Sequence, residues 1–100
     1  MRISGNQIAA ARELLGLTQT ELAEAAGVSY MTIANFETGK HEPYQSTVEK
    51  IRGELERRGI EFTNGDSPSS GGQGMGVRLK FEKAAEFARS SAQPRKEPAR

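Results

Sequence analysis

Apolar residues recur at helical spacing through the first 58 positions of the chain and then switch to alternation. Ile8, Ala11, Leu14 and Leu15 form the first stripe. Ser4 stands ahead of it with Gln7 three residues on, the reciprocal capping pattern of a helix N-terminus. With Gly16 as its exit, the first helix spans about residues 5–15. Thr18 and Glu21 repeat the capping pattern, Leu22, Ala23 and Ala26 follow, and Gly27 ends the second helix. Ser29 caps a third, with Ile33 and Phe36 inward and Gly39 as terminator. Pro43 suits the start of a fourth, in which Val48, Ile51 and Leu55 recur until Gly59. The predicted core is Ile8, Leu14, Leu22, Val28, Ile33, Phe36, Val48, Ile51 and Leu55.

After Gly59 the period is that of strands. "IEFT" sets Ile60 and Phe62 against polar neighbours, and "VRLKF" puts Val77, Leu79 and Phe81 on one face. The Gly/Ser-rich stretch between them, residues 64–76, reads as a flexible loop. A lone two-stranded ribbon is marginal in water, and the fourth helix offers it limited cover. The expected remedy is a second copy of the chain, with Ile60, Phe62, Val77 and Leu79 as the dimer contact. "EKAAEFARSSA" reads as a short helical segment, and "QPRKEPAR" as a disordered tail. The chain thus divides into a helical domain over residues 1–59, a two-stranded dimerisation extension over 60–81, and a helix and tail over 82–100.

Composition narrows the chemistry. With 35% hydrophobic and 27% charged residues in 100, a core does not run the whole length. The absence of cysteine excludes disulfides, thiolate zinc sites and cysteine nucleophiles. No apolar run is long enough for a bilayer, and the N-terminus lacks a signal-peptide core, so a cytoplasmic protein without membrane partners is expected. No carboxylate pair, metal-ligand cluster or nucleophile–base arrangement is present, and the glycine run 71–76 lacks a phosphate loop's context. The expectation is no enzyme, no catalytic or metal site and no cofactor. The net charge of +1 hides a division: residues 1–65 carry −2 and residues 66–100 carry +3. No basic block marks the helical part as a polyanion binder.

Two short helices joined by Ala26, Gly27 and Val28 form a helix-turn-helix, whose second helix keeps an outer face for a groove. "LTQTELAEAAGVSYMTIANFETGKHEP" resembles the Cro/repressor (XRE-type) helix-turn-helix family nearly position by position, through Thr18-Gln19, Glu21-Leu22-Ala23, Gly27-Val28-Ser29, Thr32-Ile33, Glu37 and Gly39-Lys40. The resemblance covers residues 4–58, and "GIEF" followed by "GVRL" looks like an extension on short bacterial members. It implies a mainly α, compact, four-helix lambda-repressor-like domain that binds double-stranded DNA, here with a short C-terminal β-ribbon and tail. By the same resemblance Tyr30, Met31, Thr32 and Asn35 take the base-reading positions. Thr18, Gln19, Ser29, Thr38 and Lys40 take those that hold phosphate, and Arg12 and Glu37 those of a buried ion pair. Asn suits bidentate recognition of adenine, and Met31 or the Thr32 methyl suits a thymine methyl.

The chain departs from the family's pattern in two respects, one being that Tyr30 and Met31 replace the more common polar readers. Many relatives carry Arg or Lys on the reading helix, whereas here only Lys40, at its end, is basic. Modest phosphate affinity per monomer and a lean toward A·T contacts follow. Ser4, Thr18 and Ser29 are explained as caps whether or not they touch DNA. His41 reads as a loop residue, and Arg57-Arg58 as charge at a helix C-terminus. The expected function is a sequence-specific transcriptional regulator, a repressor binding an inverted repeat as a homodimer. The alternative is a protein-interaction module on the same fold, an antiactivator or antitoxin-like chain with a regulatory protein partner.

Overall fold

The computed structural model describes residues 2–63 and 75–91. The expected loop (but for its last two residues) and tail lie outside them. The order of elements is α1 (Gly5–Leu15), α2 (Gln19–Ala26), α3 (Tyr30–Thr38), α4 (Gln45–Arg57), β1 (Ile60–Thr63), β2 (Gly76–Leu79) and α5 (Phe81–Ser91).

The first three helices begin on the side chains the pattern indicated. Ser4 Oγ accepts from Gln7 N at 3.2 Å while Gln7 Oε1 accepts from Ser4 N at 3.0 Å. Thr18 and Glu21 make the same exchange at 3.0 and 2.9 Å, and Ser29 Oγ accepts from Thr32 N at 3.1 Å. The fourth helix differs. Its N-cap is Tyr44, which makes no side-chain capping bond.

Ile8, Leu22, Ile33, Ile51 and Leu55 are fully buried between α1 and α4, with Ala11, Ala23, Phe36 and Val48 around them and Ile3 sealing one end. Val28 packs against this core partly buried. Gly5 lets α1 start directly against the end of α3: a Cβ there would stand 1.8 Å from the Phe36 carbonyl oxygen. Leu14 corrects the expectation of a core residue, being 48% exposed. Ile8, Ala11 and Leu15 already occupy the inward stripe, and Leu14 falls at its edge, two turns beyond Gln7.

The ribbon is antiparallel, with Ile60 opposite Leu79, Glu61 opposite Arg78, Phe62 opposite Val77 and Thr63 opposite Gly76. Ile60 and Phe62 belong to the core of their own chain, 2% and 5% exposed, so they need no second copy to cover them. The expectation that they form the dimer contact is corrected. It weighed α4 alone, whereas β2 also lies along α1, where Gln7 Nε2 donates to Gly76 O at 3.0 Å. Val77 and Leu79 pack partly buried against the same core.

Phe81 does not continue the strand. Pairing ends where Ile60 meets Leu79, and Lys80 N makes a last bond to Gly59 O at 2.8 Å. The chain then turns into α5, leaving Phe81 81% exposed at its start. The helix is held back on α4 by Phe87, which lies under the guanidinium groups of Arg57 and Arg58 at 4.9 and 4.7 Å. Both arginines also bind the buried carboxylate of Glu54, at 3.0 and 2.6 Å. Gly59, at φ 113°, comes so near α5 that a Cβ would meet Ala84 at 3.1–3.2 Å.

Candidate nucleic-acid interface

The corner between α2 and α3 turns on Gly27, whose φ of 74° suits a residue without a side chain. Leu22 and Ala23 of α2 and Ile33 and Phe36 of α3 anchor the pair inward. The remaining face of α3 therefore points away from the core. Tyr30 and Met31 are 48% and 56% exposed, and Thr32 and Asn35 are half-buried.

Met31, Thr32 and Asn35 line one depression of about 350 Å³, and Tyr30 stands outside it. The rest of its wall comes from His41, Pro43, Tyr44 and Thr47, in the α3–α4 connection and the first turn of α4. Sequence reasoning assigned none of these four to the site. One signal was available: Tyr44 occupies a helix cap, where Ser, Thr, Asp or Asn is favoured.

The candidate phosphate positions differ in what they offer. Thr18 Oγ1 accepts the capping bond from Glu21 N, and Gln19 Nε2 donates to Glu37 Oε1 at 2.9 Å. The Gln19 amide has a second N–H for a phosphate at the start of α2. Ser29 Oγ lies 2.9 Å from Thr32 Oγ1 in addition to capping α3. Thr38 Oγ1 donates back to Ala34 O at 3.1 Å, so its proton reaches a phosphate only when the hydroxyl gives up that bond. Lys40, exposed just past the end of α3, brings the cation. Among the other basic residues up to Arg58, Arg2, Arg12, Arg52, Arg57 and Arg58 each pair with a glutamate.

Arg12 and Glu37 tie α3 to α1. Arg12 Nε and Nη2 donate to the two Glu37 oxygens at 2.8 and 3.1 Å, and Nη1 donates to Leu17 O at 2.9 Å. The side chains are 13% and 6% exposed. The hydrogen bond to Glu37 raises the Arg12 pKa above its ordinary value, and the attraction of Glu37 and Glu13 adds to this against the opposing effect of burial. The cation thus persists at any working pH. With the Gln19 bond included, Glu37 ties α1, α3 and the start of α2 to one carboxylate.

No described helix is long and apolar enough to cross a membrane. Among the described residues no group of three or more histidines and carboxylates is placed to hold a metal ion. No curated protein matches the chain. A family model for the helix-turn-helix, of the Cro/C1 (XRE) type, matches residues 8–58, from the first buried apolar residue of α1 through α4. The chain belongs to this family of DNA-binding regulatory domains.

Proposed function

We propose that the protein is a sequence-specific transcriptional regulator that represses by occupying an inverted-repeat operator as a homodimer. The observation that supports this best is the outward face of α3. Asn35, Thr32 and Met31 share one depression there, on a helix held by the Arg12–Glu37 pair. Asn35 reads adenine, the start of α2 meets a phosphate through Thr18 and Gln19, and Ser29, Thr38 and Lys40 take the flanking backbone. One such module buries too little surface for tight specificity, and two-fold pairing on half-sites about one helical turn apart supplies the rest. Because Ile60 and Phe62 are internal, the pairing surface falls to the partly buried Val77 and Leu79, exposed Phe81 and the outer face of α5.

Selection of bound DNA from a random library tests the reading. A palindromic site is expected, and Asn35→Ala should weaken binding to it by ~1–3 kcal/mol and relax one base pair. Recovery of no site, or full affinity and preference in Asn35→Ala, counts against base reading by α3. A second reading, a protein-interaction module acting as an antiactivator or antitoxin-like chain, is favoured by the −2 balance of residues 1–65 and by exposed Tyr30, Met31 and Tyr44. DNA regulation requires affinity that falls steeply with salt, whereas the protein-docking reading does not.

A further inference from the structure

Tyr44 is the least economical residue on the α3 side of the molecule. It sits at the N-cap of α4 in extended conformation (φ −60°, ψ 153°), caps nothing, and is 84% exposed. A serine or aspartate there would hold the helix better. With Pro43 and Met31, Tyr44 lines the depression that Asn35, Thr32, Thr47 and His41 complete. We infer that this depression receives the C5-methyl group of a thymine in the operator, and that Tyr44 determines specificity at that base.

The occupant follows from chemistry and position. The depression is continuous with the α3 face, since Met31, Thr32 and Asn35 belong to both. A phosphate finds no Lys or Arg among the residues that line the depression. In the major groove the thymine methyl is the apolar group that base edges present, and a Met, Pro and Tyr wall is complementary to it. Asn35, on the same wall, has the amide that pairs with adenine N6 and N7. The cleft and Asn35 together therefore read a thymine methyl close to an adenine. This rests on the DNA-binding reading above and adds to it two residues, Pro43 and Tyr44, that with Met31 act as one wall.

The test uses the full chain and an operator recovered by selection, with each thymine replaced in turn by deoxyuridine, which pairs identically and lacks only the methyl. Burying one methyl corresponds to about fourfold in affinity. One thymine per half-site, close to the base pair that Asn35→Ala relaxes, should show a loss of that size with the wild-type chain. Tyr44→Ser, which supplies an ordinary cap and so keeps the helix, should bind thymine and deoxyuridine sites equally. The inference is overturned if no thymine is sensitive at a well-bound site, or if Tyr44→Ser keeps the full discrimination. It is also overturned if folded Tyr44→Ser loses binding to every site alike, since Tyr44 would then be a general contact. A chain that selects no DNA at all sinks the DNA reading itself, and this inference with it.

Discussion

In residues 4–58 each of the first three helices carries its own beginning, at Ser4, Thr18 and Ser29, and its own glycine stop. In residues 60–91 no element is set by its neighbours in sequence alone. The ribbon exists because Ile60 and Phe62 enter a core built by the helices, and because Gln7 of α1 binds Gly76 of β2. The last helix is held by Phe87 beneath two arginines of α4. The first region is thus specified locally and only then packed, while the second is specified by what it packs on. Yet the dependence is mutual, since Ile60 and Phe62 are as deeply buried as the helical residues around them.

Cutting the chain after Arg58 tests that mutual dependence and should have the largest effect. Removing two fully buried side chains forfeits roughly 3–6 kcal/mol of apolar burial. The helical region alone should therefore unfold at markedly lower denaturant than the full chain, as followed by circular dichroism. Equal midpoints would show the extension to be an appendage, and the comparison would fail.

A second test lies inside the first region, at an ion pair that no local signal specifies. Arg12→Met leaves the Glu37 carboxylate, 6% exposed, without its cation, and should cost ~3–5 kcal/mol. Replacing both partners by Met should recover most of that loss while leaving α3 less firmly oriented. Thermal unfolding of the three chains gives the answer. An Arg12→Met chain as stable as the parent would mean that α3 is placed by Ile33 and Phe36 alone.

What could be read from the sequence follows the same division. The bounds of α1 to α3 were legible because caps, stripes and glycines act within a few residues of one another. Arg12 and Glu37 are 25 positions apart, and only the family resemblance joined them. Leu14 was misjudged because a stripe shows which side of a helix is apolar but not how far its cover extends. Phe81 was misplaced because the end of a strand is set by its partner, here by Ile60, and not by alternation. The cover over the ribbon was missed because β2 lies along α1, whose Gln7 is 69 residues from Gly76 in sequence. At the candidate interface, Met31, Thr32 and Asn35 came from one helical face. His41, Pro43, Tyr44 and Thr47 joined them only once the α3–α4 connection had folded back beside it.

Gln7 stands where the two regions meet, and changing it should have the smallest effect and the sharpest meaning. Its carbonyl oxygen caps α1 by accepting from Ser4 N, its amide donates to Gly76 O of the ribbon, and it is 3% exposed. Gln7→Ala removes both bonds and should cost roughly 1–2 kcal/mol. Gln7→Glu separates them, since a carboxylate still accepts from Ser4 N but has no proton to give Gly76 O. Amide hydrogen exchange in the Gln7→Glu chain should then show faster opening of β1 and β2, with α2 and α3 protected as before. If protection instead falls evenly through α2, α3 and the ribbon, the two regions open as one cooperative unit. The distinction between a locally specified half and a dependent half would then describe how the chain reads, not how it holds together.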